Sequence, residues 1–276
     1  MASHQVHFVG LVVAKKGNQP DECDDHIGQS PNTPFRAVVA DGATEGLLNG
    51  RWAEAIVRRC TAESSPDSPS SMLQALEEAR TAWVDEVAAY RKDRERTNRP
   101  IQWYEEPGLR TGSFSTLLYL TVDGRRPWVL AKRKVKRKRL HQSQGTHWWA
   151  CAVGDSCLFV VTKEGKRRRF GDHPVVFPIT ASVDFNSSPH LVSTRVAPSP
   201  GAVQELSGDA RTGDCMYLMT DAIACWTLRQ IESRETPWSR LDEGLRSKER
   251  FRRMVDELRE DHGMRNDDVS VVRVDF

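Results

Sequence analysis

The feature that most constrains this chain is an apolar segment, Phe35 to Ala40, that ends abruptly in Asp41 and Gly42. Its β-branched and aromatic residues, free of glycine and proline, predict a buried strand. Asp41 and Gly42 then place one carboxylate and one closely approachable stretch of backbone at the tip of that strand. An Asp-Gly pair after a strand is also a common hairpin turn, so this motif alone leaves a turn and a metal ligand open.

The same pattern, an acid at the edge of an apolar strand, recurs at Asp155, at Asp221 and at the pair Asp267-Asp268. Hard divalent cations prefer carboxylate oxygens, and a pair of such ions can activate water and screen phosphate charge. Asp41, Asp221 and one member of the Asp267-Asp268 pair are therefore candidates for one shared metal centre. The residues themselves do not distinguish Asp267 from Asp268.

Composition predicts one globular domain spanning residues 1–276. Hydrophobic residues make up 38% and charged residues 28%, and the formal net charge is +2, which gives no reason to expect a nucleic-acid or other polyanionic partner. No apolar segment approaches the ~20 residues that a bilayer span requires. The first residues lack the basic flank and apolar core of a signal peptide. We therefore expect a cytoplasmic protein with no membrane partner.

The cysteines are scattered and form no Cys-x-x-Cys pair. Most have apolar neighbours, so we expect buried free thiols rather than zinc ligands or disulfides, as in a reducing compartment. The six are Cys23, Cys60, Cys151, Cys157, Cys215 and Cys225.

Hydrophobic periodicity predicts helices packed against a sheet. Helical spacing extends over residues 47–62, 71–96, 222–228 and 241–261. In the second of these, the apolar stripe includes Trp83 and Val84. The strand 269–274 is expected beside the first strand, 7–14, and the strand 158–161 is expected to form a tight hairpin with the strand before Gly154.

Two segments interrupt this pattern. Seven of the eight residues from Lys132 to Arg139 are basic, and strands on both sides predict a solvated hairpin insertion at about 124–147. Without these seven charges the net charge falls from +2 to −5, so the rest of the domain is mildly acidic. Residues from Asp172 to about Asp209 are rich in proline, serine and asparagine and predict a loop-rich flap with little regular structure.

A third segment, Asp21 to Asp25, holds four carboxylates in five residues. Such charges repel one another unless water screens them or a cation binds. An acidic surface loop and a cation site both remain open.

Taken in order, these motifs resemble the metal-dependent, type 2C Ser/Thr protein phosphatases, particularly bacterial members. The resemblance extends from about Val9 to Val274. Its motifs are Val-Ala-Asp-Gly at 39–42, Gly-Ser-x-Ser-Thr at 112–116, Val-Gly-Asp-Ser at 153–156, Thr-Asp-Ala at 220–222 and Asn-Asp-Asp-Val-Ser-Val-Val at 266–272.

The resemblance implies an α+β fold, a four-layer αββα sandwich whose mostly antiparallel central β-sandwich is flanked by helices. It implies hydrolysis of phosphoserine and phosphothreonine in a phosphorylated protein partner, with a cognate Ser/Thr kinase. It also implies two Mg²⁺ or Mn²⁺ ions, with a weaker third, and attack on phosphorus by the water that bridges the first two. The corresponding ligands are Glu22, Asp41, the Gly42 carbonyl, Asp221 and Asp267, with Asp155 on the third ion.

The chain departs from the family pattern at several positions. Cys23 follows Glu22 where an acid is expected, so Asp21 or Asp24 are alternatives to Glu22 in a shifted loop. Asn18 stands near the expected position of a phosphate-binding arginine, for which Lys15, Lys16 and Arg51 are candidate replacements. Ala43 occupies the place of a histidine that some relatives use as general acid, which favours protonation by a metal-bound water.

These departures motivate a second hypothesis, a catalytically silent phosphatase-fold protein that binds a kinase or a phosphoprotein. Against it, the carboxylates persist although their mutual repulsion costs stability in an empty site. A third hypothesis, nucleic-acid binding through residues 132–139, ranks last because that run contains no aromatic residue.

Overall fold

The computed structural model describes residues 6–30, 32–43, 46–62, 66–123, 145–163, 174–185, 188–261 and 263–276. The strands are β1 (His7–Val13), β2 (Asp25–Ser30), β3 (Phe35–Asp41), β4 (Phe114–Ser115), β5 (Leu117–Asp123), β6 (Thr146–Val153), β7 (Cys157–Val161), β8 (Val175–Phe177), β9 (Val192–Ser193), β10 (Gln204–Ala210), β11 (Cys215–Met219) and β12 (Val269–Asp275). The α-helices are α1 (Asn49–Thr61), α2 (Pro69–Arg96), α3 (Glu106–Thr111), α4 (Asp221–Glu232), α5 (Trp238–Gly244) and α6 (Lys248–Asp261).

Ten of these strands form two five-stranded antiparallel sheets. The first sheet has the order β1-β12-β11-β7-β8, and the second has the order β10-β6-β5-β3-β2. In the first sheet, β1 pairs with β12 from His7 opposite Asp275 to Val13 opposite Val269. This pairing confirms the predicted neighbourhood of the first and last strands.

The two sheets pack face to face, and helices cover their outer faces. Along β3, Val38 and Ala40 pack with Trp52 of α1, whereas Ala37 and Val39 lie in the core between the sheets. Alternate residues of a strand point to opposite faces, so a strand covered on both sides is apolar throughout. The four-layer αββα sandwich predicted from the sequence is thereby confirmed.

The helices agree with the predicted periodicity, with two differences. In α2, Trp83 packs edge-on against Trp52 with ring centroids 5.3 Å apart, but Val84 is 71% exposed. One residue advances a helix by about 100°, which carries Val84 off the buried stripe. The predicted helix 241–261 is instead two helices, α5 and α6. α5 ends at Gly244, where an added Cβ would lie 2.6 Å from Sδ of Met254.

The predicted hairpin at residues 154–156 was wrong. β6 belongs to the second sheet and β7 to the first, so this connection crosses between the sheets. Gly154 has φ +105°, and a Cβ there would lie 2.8 Å from Cγ2 of Thr116. Glycine therefore permits both the left-handed turn and the close approach to Thr116.

The segment 172–209 contains more regular structure than predicted, because β8, β9 and most of β10 lie in it. β10 is an edge strand that pairs with β6 from Gln204 opposite Ala152 to Ala210 opposite Thr146. Its sequence has few strand-forming side chains, so backbone pairing with a buried neighbour sets its conformation.

The basic run 132–139 lies outside the described residues. The strands on either side of it, β5 and β6, pair from Leu117 opposite Val153 to Asp123 opposite His147. The insertion therefore connects two adjacent antiparallel strands at the end of the sheet marked by Asp123.

All six cysteines are free, as predicted, and four of them are buried. In the ranges that the structure describes, no helix is long and apolar enough to cross a membrane.

Candidate metal centre

Asp25 and Asp41 form the first part of an acidic cluster at one end of the second sheet. Asp25 begins β2, Asp41 ends β3, and their Cα atoms are direct partners in the antiparallel ladder. Asp25 is only 3% exposed. Burial raises its pKa to about 7, partly opposed by hydrogen bonds such as the 3.0 Å bond from the Thr220 hydroxyl to Oδ2.

Asp41 lies where several negative charges meet. Its pKa is raised well above the usual range, first by removal from water and then by the charges of Asp25, Asp267 and Asp155. Like charges that raise one another's pKa values are close in space. The structure thus brings together acids separated by more than 200 residues in sequence.

Backbone contacts fix the tip that carries Asp41. Its carbonyl accepts a 2.8 Å hydrogen bond from the Thr116 N–H, and its own N–H donates to Oγ1 of Thr116 at 3.2 Å. At Gly42, a Cβ would lie 2.8 Å from the backbone carbon of Asn49 and 2.9 Å from Cβ of Asp24. Only glycine fits between these two segments without displacing backbone.

Asp155 joins the cluster from the connection between β6 and β7. It is buried, and the loss of hydration raises its pKa to about 6. The hydroxyl oxygen of the next residue, Ser156, lies 2.9 Å from Oγ1 of Thr116, within hydrogen-bond distance. Thr116 therefore connects the Asp41 tip with the Asp155 turn, which gives the Gly-Ser-x-Ser-Thr motif a positioning role.

Asp221 enters from the first sheet as the first residue of α4, directly after β11. The preceding residue, Thr220, accepts a 2.9 Å hydrogen bond from the Ser270 N–H and donates to Asp25. Oδ1 of Asp221 and Oδ1 of Asp25 are buried, and neither has a hydrogen-bond partner among the described residues. Each is an oxygen atom available to a ligand.

The two consecutive aspartates before β12 have different environments. Asp268 is buried, and its Oδ1 and Oδ2 accept hydrogen bonds from the backbone N–H groups of Lys15 at 2.7 Å and Asp24 at 2.8 Å. Asp267 is partly exposed, and its charge acts on Asp41 and Asp155. Asp268 also raises the pKa of Asp25, but both of its oxygens accept backbone hydrogen bonds, whereas Asp267 acts on Asp41 and Asp155.

One cation stands among these acids. Nη2 of Arg265 donates to Oδ2 of Asp221 and lies 3.2 Å from Oδ2 of Asp267. Its charge also lowers the pKa of Asp155, against the larger effect of burial. Sequence reasoning did not identify Arg265, because its pairing with Asp221 depends on where the tertiary structure places the start of α4.

A cavity of about 180 Å³ adjoins this end of the cluster. Asp221 and Arg265 line it together with Arg229, Trp226 and Phe185. The lining of this cavity therefore combines acidic, basic and aromatic side chains, beside the carboxylates of Asp221 and Asp267.

The structure does not bring Glu22 into the cluster. Glu22 is exposed in a 3₁₀ turn and accepts a 2.7 Å hydrogen bond from the Gln19 N–H. The alternatives fit no better, since Asp21 is exposed and Asp24 Oδ1 accepts from the Gly50 N–H at 2.9 Å near the start of α1. Asp25 occupies the position facing Asp41, and the predicted site did not include it.

The candidate replacements for the phosphate-binding arginine are mostly engaged elsewhere. The Arg51 guanidinium lies 4.9 Å from the centre of the Tyr90 ring, and Lys16 Nζ lies 2.7 Å from Glu260. Lys15 is the candidate with a contact in this region: its backbone N–H donates to Asp268, and its charge lowers the pKa of Asp24 against the larger effect of burial.

The donor set suits hard divalent cations in its chemistry: carboxylates crowded in partly buried positions, two of them with unpartnered oxygens. As placed, however, no three His, Cys, Asp or Glu side chains in the described ranges form a group ready to hold an ion.

The fold is the αββα sandwich on which type 2C Ser/Thr protein phosphatases are built, as the sequence motifs predicted. No protein-family model matches the sequence, and a search of curated proteins gave no match. The likeness comes from solved structures.

Three of these structures illustrate the likeness. The Mycobacterium tuberculosis serine/threonine phosphatase PstP/Ppp is 13% identical, with a TM-score of 0.57 and 98% of each chain covered. The PstP catalytic domain with two manganese ions is 12% identical, with a TM-score of 0.54 and 98% of this chain and 97% of that chain covered. RsbX with magnesium is 15% identical, with a TM-score of 0.50 and 100% of this chain and 97% of that chain covered. At these identities the comparison establishes the fold.

Proposed function

We propose that this protein is a metal-dependent protein serine/threonine phosphatase. The observation that carries the proposal is the meeting of Asp41 with Asp25, Asp155 and Asp267, whose charges act on one another at the end of the sandwich. Asp221 is linked to the same group through Arg265. Buried like charges destabilise a protein, so their presence favours a site built to receive cations.

In this proposal Asp25 replaces Glu22 in the ligand set. Asp41, the Gly42 carbonyl and Asp25 serve from the second sheet, and Asp221 and Asp267 serve from the first. Asp155 holds a weaker third ion. When bound, the Mg²⁺ or Mn²⁺ ions supply an activated water and neutralise phosphate charge.

The surrounding residues hold this arrangement. Thr116 fixes the backbone of Asp41, Thr220 orients Asp25, and Asp268 fastens the β1–β2 connection to the start of β12. Asp25 and Asp155, with pKa values of about 7 and about 6, give up any proton they hold when cations bind beside them. Binding should therefore be weaker in acid.

The substrate of this site would be a phosphorylated protein, and a cognate Ser/Thr kinase would be a second partner. The protein would act in the cytoplasm. The supporting features are the fold and the acidic cluster.

The test is hydrolysis of p-nitrophenyl phosphate and of a phosphothreonine peptide, with Mn²⁺ and with EDTA. We expect Mn²⁺-dependent turnover of both, and loss of turnover in Asp41→Asn and in Asp221→Asn while both variants remain folded. Metal-independent turnover, or near-wild-type kcat in either variant, would overturn the two-metal assignment.

The second candidate is a silent phosphatase-fold protein that binds a kinase or phosphoprotein. One observation favours it: Arg265 is paired with both Asp221 and Asp267, two of the proposed ligands. No turnover of either substrate in Mn²⁺, together with binding of the phosphopeptide, would support this candidate over the first.

A further inference from the structure

We propose that Arg265 is a built-in cation that occupies the space between Asp221 and Asp267 and competes with a divalent ion for that pair. The inference rests on the proposed function for the identity of the ion. It concerns a residue that neither the motifs nor the fold comparison assigns.

The geometry places a single nitrogen atom on both carboxylates. Nη2 of Arg265 contacts Oδ2 of Asp221 and lies 3.2 Å from Oδ2 of Asp267. These are the two acids that the proposed function draws from the first sheet as metal ligands. A guanidinium in this position supplies part of the positive charge that an ion would supply.

The position of Arg265 allows its side chain to move away from the two carboxylates. Its side chain is 54% exposed, and within the described ranges no hydrogen bond engages its Nε or Nη1. The segment 263–268 is neither helix nor strand. A guanidinium keeps its proton at any pH the fold tolerates, so an ion must displace the side chain physically.

While Asp221 Oδ2 is bonded to Arg265, only its Oδ1 is unpartnered. Displacement of the arginine would free both oxygens of that carboxylate and one of Asp267.

The experiment measures Mn²⁺ binding by calorimetry and thermal unfolding in EDTA, for wild type, Arg265→Gln and Arg265→Lys. Arg229→Gln is the matched control, because Arg229 lines the same cavity but donates to the Gly263 carbonyl at 3.3 Å instead of to a carboxylate. None of these readouts depends on turnover.

We expect Arg265→Gln to bind one Mn²⁺ more tightly, by about two- to thirtyfold for the loss of two partly exposed ion pairs. Its Tm in EDTA should fall, because the two carboxylates lose their counter-charge. Arg265→Lys should stay closer to wild type, and the gain should shrink at high salt. The control should match wild type in Mn²⁺ affinity, with only the small fall in Tm expected for one lost exposed hydrogen bond.

Unchanged or weaker Mn²⁺ binding in Arg265→Gln would overturn the inference, the weaker result indicating that Arg265 positions the ligands. If wild type binds no Mn²⁺ but Arg265→Gln does, the inference stands while the proposed function fails for the natural protein. If wild type binds two ions and hydrolyses phosphate but Arg265→Gln binds them equally, the function stands and the inference fails.

Discussion

The hydroxyl of Thr220 donates a 3.0 Å hydrogen bond to Oδ2 of Asp25 and so joins the two sheets at the acidic cluster. Thr220 follows β11 of the first sheet, and Asp25 begins β2 of the second. The bond fixes which acid of the Asp21 to Asp25 segment faces Asp41. That choice is the basis of the first prediction.

Asp25→Asn should reduce Mn²⁺-dependent kcat by about 100-fold or more, whereas Glu22→Gln should leave it within about twofold. Loss of one ligand charge removes several kcal/mol of charge stabilisation, and each 1.4 kcal/mol is a factor of ten in rate. Steady-state kinetics on a phosphopeptide provide the measurement. The reverse ranking would restore Glu22 as the ligand and contradict the site described above.

Substitutions at Asp267 and Asp268 should have different effects, on turnover at Asp267 and on stability at Asp268. Asp268→Ala leaves the N–H groups of Lys15 and Asp24 without their acceptor, and each lost charged hydrogen bond costs about 1.5–3 kcal/mol. Its free energy of unfolding should fall by at least that amount in urea titrations. Asp267→Asn should lose turnover with little loss of stability. Equal stability losses in the two variants would mean that both are structural.

The stability of the metal-free protein should fall as pH rises through the range in which the cluster ionises. Asp25 has its pKa raised from 3.8 to about 7 and Asp155 to about 6. Between pH 3.8 and about 7 the folded protein therefore holds more protons than the unfolded chain, so its stability declines with rising pH. The raised pKa of Asp41 acts in the same direction.

Thermal unfolding in EDTA at about pH 5 and about pH 7.5 provides the measurement, with Asp25→Asn as control. The Tm of Asp25→Asn should fall less between the two pH values than the Tm of wild type, because the variant lacks the larger of these two pKa shifts. Mn²⁺ should restore the wild-type Tm at the higher pH. A wild-type decline no greater than that of Asp25→Asn would show that Asp25 is ionised throughout.

Replacing residues 132–139 with a short Gly/Ser turn should leave hydrolysis of p-nitrophenyl phosphate within about twofold. The insertion departs from the sheet at Asp123, six residues along β5 from the end near Asp155. Six residues of strand span about 20 Å, well beyond a Debye length of ~8 Å.

Turnover of an acidic phosphoprotein should fall in the same variant, mainly in kcat/KM at low salt, if the run steers such a partner by its charge. Measurements at low and high ionic strength separate this effect from a structural one. Loss of small-substrate activity would place the basic run nearer the acids than the strand register implies.

The sequence by itself determined the elements that carry most of the cluster. Apart from Arg36, residues 35–40 are apolar on both alternating faces, which predicts a strand buried on both sides. The aspartates at 41, 155 and 221 and the pair 267–268 follow or precede such strands, so local pattern was sufficient to select these positions as candidates. The pairing of the first and last strands also followed from their alternation and position.

Only the tertiary structure decided which acids meet. Asp25 was missed because the direction of each side chain in the Asp21 to Asp25 segment depends on register with β3. The sequence did not decide which of Asp267 and Asp268 belongs to the site. The partners of Asp268, the N–H groups of Lys15 and Asp24, are more than 240 residues away in sequence. The placement of β7 in the opposite sheet from β6 has the same cause: strand pairing depends on long-range contacts that local periodicity does not encode.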